Sequence, residues 1–137
     1  MTATISSRLN ESTDSLLRFA MRADAVLTGL AGVVSLPLVG WMAELAGTTT
    51  TIEYSMAAFF IAYGVVVYGL STLPKVGGAG LAVIAANLIY TAATIAVVVT
   101  DVWTLTTTGV VLMLATGAYT LAFADLQYLG WRRLRRS

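Results

Sequence analysis

Four long uncharged stretches set the pattern of the chain: 25–43, 54–74, 76–100 and 102–124. Each is apolar on every side, whereas a helix on the surface of a soluble core carries a single apolar stripe. A helix needs about 20 apolar residues, within a range of about 17–25, to cross roughly 30 Å of hydrocarbon. All four stretches fall in that window. The pattern predicts an all-α, polytopic membrane protein, an antiparallel up-down bundle of four transmembrane helices at about 18–43, 54–73, 77–99 and 103–130.

Turn residues separate the runs. Gly47 and the threonines 48–51 follow the first, Leu73-Pro74-Lys75 with Gly77 and Gly78 follow the second, and Thr100-Asp101-Val102-Trp103 joins the last two. Connections this short make consecutive helices antiparallel neighbours. Pro37 lies inside the first run, where it either kinks the helix or marks the point at which 41–45 bends along the outer interface. Residues 1–15 read as a polar cytoplasmic N-terminal segment, with Ser12, Thr13 or Asp14 as an N-cap. Residues 16–131 form the transmembrane domain and 132–137 a basic cytoplasmic tail. The first run is too long for a signal-peptide core, and Glu11 and Asp14 precede it. No sequence repeat is evident, although the two helical hairpins share one orientation.

Charge then orients the bundle. Arg8, Arg18 and Arg22 precede the first run, Lys75 lies between the second and third, and Arg132, Arg133, Arg135 and Arg136 follow the fourth. Four crossings put all eight bases on one side, and the opposite loops hold only Glu44, Glu53 and Asp101. The positive-inside rule places both termini in the cytoplasm; the expected location is the plasma membrane. Trp41 and Trp103 then fall at the outer interface, Tyr128 and Trp131 at the inner one. The tail Trp131, Arg132, Arg133, Arg135 and Arg136 reads as an anchor to lipid headgroups, each base contributing about 1 kcal/mol on an anionic leaflet. So short a tail is a poor nucleic-acid site.

Composition sharpens the picture. The chain is 58% hydrophobic and only 11% charged, with a mean hydropathy of +0.82; soluble domains are about 25% charged. Cys and His are absent, which removes disulfides, thiolate chemistry, the usual zinc sites and histidine proton transfer. No Walker loop, Gly-x-Ser-x-Gly elbow or metal-ligand cluster occurs. No catalysis, cofactor or metal is expected.

Lipid does not press apolar helices together, so contact faces favour small and mildly polar residues. The expected packing positions are Gly29 and Gly32 in the first helix, Ala58 and Ala62 in the second, and Ala118 and Ala122 in the fourth. The third offers Asn87, Thr91 and Thr94. So small a chain is expected to form a tight bundle without a spacious cavity. Asp24 and Asp125 sit at the cytoplasmic ends of helices one and four. Their plain role is pairing with Arg18, Arg22 or Arg132; their sharper role, with Asn87, is a polar or proton site, because acids within a membrane are costly and often functional. Asn87 by itself reads as an interhelical hydrogen bond. Tyr63, Tyr68, Tyr90 and Tyr119 read as packing aromatics, with binding of a quinone ring or lipid as the alternative.

The segment Leu17-Arg18-Phe19-Ala20-Met21-Arg22-Ala23-Asp24-Ala25-Val26-Leu27-Thr28-Gly29 and the ending Phe123-Ala124-Asp125-Leu126-Gln127-Tyr128-Leu129-Gly130-Trp131-Arg132-Arg133 resemble small four-helix integral membrane proteins of actinobacterial type. That resemblance implies the fold and the membrane, and no activity. In size the chain is similar to small multidrug resistance transporters, which carry a Glu within the first helix that this chain lacks. The expected function is a non-catalytic accessory or scaffold subunit that packs against larger membrane proteins, for example of a respiratory or envelope complex, or self-associates in the bilayer. The alternative is a small oligomeric proton-coupled transporter using Asp24, Asp125 and Asn87.

Overall fold

The computed structural model describes the backbone of residues 2–135 and the side chains of residues 14–135. Helix α1 spans Thr2–Ser35, a 3-10 turn covers Leu36–Leu38, and α2 spans Val39–Ala46. Helices α3 (Thr50–Leu70), α4 (Gly77–Thr100) and α5 (Thr107–Arg135) follow, and no strand occurs among the described residues. Four segments are long and apolar enough to cross a membrane: Asp14–Ala46, Thr50–Leu70, Gly77–Thr100 and Thr107–Arg135. Their outer surface is oily throughout; Val65 is 70% and Val99 76% exposed. Water cannot accommodate such a surface, and the chain is a multi-pass membrane protein with lipid as its solvent. The expected N-cap at residues 12–14 is not used, because α1 already runs through it from Thr2.

Pro37 breaks the first span. A proline ring has no N–H to continue the ladder, and the chain tightens into the 3-10 turn before α2 resumes. Ser35 Oγ takes up the carbonyls of Ala31 and Gly32 just before the break. Helix α2 buries Val39, Ala43 and Ala46 and ends on Gly47 at φ 78°, a left-handed position that suits glycine. The loop before α5 then docks on that end. Thr106 N donates to Ala46 O at 3.0 Å, and Thr106 Oγ1 donates to Leu45 O at 2.7 Å.

The spatial order is α3, α1, α5, α4. Helices α3 and α4, although joined by a short loop, do not pack along their lengths as the connection length suggested. They meet edge-on through Phe60 and Tyr90, whose ring centroids are 6.1 Å apart. At the basic end the bundle is closed by Leu17, Met21, Ala25, Val67, Val76 and Val83. Arg18 caps the end of α3 there. Its guanidinium donates to the carbonyls of Ser71, Leu73 and Pro74 at 2.9, 2.7 and 3.1 Å, satisfying groups that a helix C-terminus leaves orphaned.

Glycine sets the closest helix contacts. A Cβ on Gly64 would stand 2.7 Å from Ala25 O, and one on Gly32 2.7 Å from Ala57 O. A Cβ on Gly117 would overlap Thr94 Oγ1. Gly29 and Gly32 therefore lie on the α1–α3 contact. Ala58, Ala62, Ala118 and Ala122 do not lie on such a contact: all four are exposed on the single chain. The contact faces are displaced by about one residue, to Ala57 and Gly64 in α3 and to Gly109, Met113, Gly117, Thr120, Ala124, Gln127 and Gly130 in α5. Alanine is at home against lipid as well as against a helix, so it does not mark a face; backbone contact demands glycine.

Leucine at Gly64 or Gly117 should therefore lower the thermal unfolding midpoint in detergent, with a stability loss at or above the usual overpacking cost of about 1–3 kcal/mol. Ala122→Leu and Val99→Leu should leave it within error. Equal losses in all four variants would mean that these faces are misassigned.

Candidate functional site: a buried carboxylate beside an intramembrane cavity

Helix α1 brings one acid into the bundle. Asp24 lies one turn beyond the Leu17–Met21 core and is 0% exposed. Every other span reaches toward its carboxylate. From α3, Tyr63 donates its hydroxyl to Oδ2 at 2.6 Å. From α4, Asn87 Nδ2 donates to the same oxygen at 3.0 Å, and from α5, Gln127 Nε2 does so at 3.1 Å. On the other oxygen, Thr28 Oγ1 donates to Oδ1 at 3.0 Å, and the Tyr119 hydroxyl lies 3.3 Å from it. Asn87 also donates to Gln127 Oε1 at 2.9 Å, so the two amides orient each other. Amide N–H and hydroxyl groups surround the Asp24 carboxyl oxygens. Among the described residues no buried side-chain N or O is left without a partner.

Asp24 thus has neutral partners. The expected pairing with Arg18, Arg22 or Arg132 does not occur. Arg18 bonds Asp14 at 3.0 Å, the one ion pair among the described residues, and the α3 carbonyls; Arg22 turns to Ser71. Arg132 stands over the Tyr128 ring at 5.9 Å. Depth and helix face are the reasons. Arg18 marks the basic end of α3, and Asp24 lies six residues further along α1, on the order of 10 Å deeper at about 1.5 Å rise per residue. Arg22, two residues before Asp24, projects from nearly the opposite side of α1, where it meets Ser71.

The structure brings Asp24 and Asn87 together and leaves Asp125 out; Asp125 is exposed on α5. Gln127, two residues on, takes the inward position. It was overlooked in the sequence, yet it continues the spacing Gly117, Thr120, Ala124, Gln127, Gly130, and reading the glycines of that helix would have found it. Further along the α4–α5 seam, Thr91 and Thr120 hydroxyls bond at 2.7 Å. Of the tail residues, Arg135 stands over the Trp131 ring at 5.4 Å and Arg133 is exposed; Arg136 lies outside the described residues.

Beyond the Asp24 shell the helices part around a cavity of about 400 Å³, contrary to the tight bundle expected. Thr28, Tyr63, Asn87 and Tyr119 form its polar end, while Met56, Phe59, Phe60, Tyr90, Leu112 and Met113 form much of its wall. Tyr68, on the outer face, has no part in it; Arg22 stands 5.9 Å over its ring. Toward the acidic end Glu53 lines the cavity. It is 8% exposed, and its carboxylate accepts from Thr48 Oγ1. Two things hold the space open. The α2–loop–α5 clasp fixes the acidic end, and α3 and α4 leave their shared side unpacked. Among the described residues no group of three acids or other metal-ligating side chains forms.

Fold and site define a four-span membrane protein with a polar hub and an adjoining intramembrane cavity. The chain matches no protein-family model, no curated protein and no solved structure.

Asp24→Asn should fold. Its carbonyl can face Tyr63, Asn87 and Gln127 while its amide faces the two hydroxyls, which also accept. Asp24→Leu strands the Tyr63 and Gln127 donors in a dry core and should cost on the order of 3 kcal/mol. Asp125→Asn and Asp125→Leu should be silent. Detergent melting curves check the series, and an Asp125→Leu loss equal to that of Asp24→Leu would refute the assignment.

Proposed function

We propose that the chain is a non-catalytic membrane protein that binds a small amphipathic molecule within the bilayer, its basic end in the cytoplasm and its acidic end outside. One observation carries this reading: a cavity of about 400 Å³ whose apolar wall leads to convergent polar groups around Asp24. Ligand sites are typically concave, mostly apolar, and furnished with a few placed polar groups. The unpacked α3–α4 side gives lipid-borne molecules a sideways entrance. The same site serves a carrier, with Asp24 and Asn87 as its polar residues and Asp125 having no part in it.

Binding of an amphiphile should raise the melting temperature of the detergent-purified protein, and Ala86→Trp, which fills the cavity from its α4 wall, should abolish that shift. A shift retained in Ala86→Trp would place binding elsewhere.

A second reading, an accessory subunit of a larger membrane complex, draws support from the exposed alanines. Ala58 and Ala62 on α3, and Ala118 and Ala122 on α5, offer close-approach faces to a partner helix. Stoichiometric capture of another integral membrane protein in mild detergent, with no cavity-dependent binding, favours that reading. Orientation rests on the bases at one end. A cysteine placed at Thr49 should react with an impermeant maleimide on intact cells, and one placed at Lys75 only after lysis; the reverse pattern would invert the topology.

A further inference from the structure

We propose that the cavity selects an apolar cation, such as an organic ammonium or phosphonium, over neutral or anionic molecules of the same shape. This rests on the reading of the cavity as a ligand site. It follows from the charge around that space. Two buried carboxylates bracket the cavity: Asp24 behind the shell of Thr28, Tyr63, Asn87 and Tyr119, and Glu53 in the wall at the opposite end. No Lys or Arg lines it, and among the described residues neither acid is in an ion pair.

The hydrogen bonds at Asp24 suit a carboxylate. Its five neighbouring groups all offer donors: the Asn87 and Gln127 amide nitrogens only donate, and the Thr28, Tyr63 and Tyr119 hydroxyls can donate or accept. Neutral donors hold the charge but do not cancel it, and the field of an uncompensated carboxylate reaches far where no water screens it. Aromatic rings complete the match. Phe59, Phe60, Tyr63, Tyr90 and Tyr119 line the space, and ring faces attract cations most strongly when desolvated. A lipophilic cation gains both attractions and leaves its apolar body against Met56 and Met113. An anion of the same size meets repulsion from both ends.

Tetraphenylphosphonium and tetraphenylborate, close in size and shape and opposite in charge, test this directly. Their binding is measured by equilibrium dialysis on the full chain in nanodiscs of zwitterionic phosphatidylcholine, with empty nanodiscs subtracted. The phosphonium should bind at least tenfold more tightly than the borate. Glu53→Gln and Asp24→Asn, each shown by its melting curve to be folded, should weaken phosphonium binding several-fold, and Ala86→Trp should remove it. Borate binding that equals or exceeds phosphonium binding, and that Ala86→Trp removes, overturns the cation selectivity while leaving the cavity a ligand site. Failure of both ions to show any binding sensitive to Ala86→Trp overturns the cavity reading, and this proposal with it.

Discussion

Lipid tails are as apolar as leucine, so burying apolar side chains does not hold transmembrane helices together once they are inserted. What is left is backbone approach and hydrogen bonding. In this chain the second concentrates on one carboxylate. Asp24 of α1 takes donors from Tyr63 of α3, Asn87 of α4 and Gln127 of α5. All four spans are tied at that level, including α3 and α4, which pack little against each other elsewhere. A charged acid at depth costs about 3 kcal/mol on insertion scales, and five donors offset that cost. Without the acid the Tyr63 hydroxyl and the Gln127 amide N–H would stand unpaired inside the bundle. Carboxylate and donors therefore require one another, and the bundle's register follows.

Around the hub the structure is uneven. On the basic side Leu17 fills the space between Gly80 and Gly130, and Arg18 draws the end of α3 inward through three carbonyls. Tight packing results. On the acidic side Pro37 breaks the first span, α2 wedges against α3 and α5, and the pre-α5 loop clasps the end of α2. The helices there are held apart at their tips and joined at the hub, and the cavity lies between those two constraints. The cavity adjoins the same hub, since Thr28, Tyr63, Asn87 and Tyr119 both hold Asp24 and form the polar end of its wall.

A buried acid with neutral partners differs in consequence from a buried ion pair. In an ion pair the field closes on itself, and a neighbouring space feels little of it. Here Arg18, Arg22 and Arg132 are engaged elsewhere, and no cation stands between Asp24 and the cavity. Glu53, capped only by Thr48 among the described residues, adds a second charge of the same sign at the far end. Structural hub and cavity are therefore one electrostatic object, and in the proposed ligand site substitution of Asp24 touches stability and ligand preference together. Glu53, outside the hub, separates the two.

The number of spans and their approximate places were determined by the sequence alone, because crossing hydrocarbon demands about 20 predominantly apolar residues; their ends were not, since the first span carries Asp24 inside the bundle and the last helix runs Thr107–Arg135 rather than 103–130. The Gly29–Gly32 contact was legible for a similar reason: only glycine permits that approach. Ala58, Ala62, Ala118 and Ala122 misled, since alanine suits lipid and helix contacts equally and a shift of one residue turns a helix face by about 100°. Asp125 looked equivalent to Asp24 and is not, and Gln127 looked unremarkable and completes the hub. Those distinctions depend on helix rotation and on how far α1 slides along the bundle, which four spans fix mutually through contacts distant in sequence. The cavity likewise belongs to the tertiary structure. It exists because α3 and α4, adjacent in the chain, stand apart in space, and no local pattern of residues records a contact that is missing.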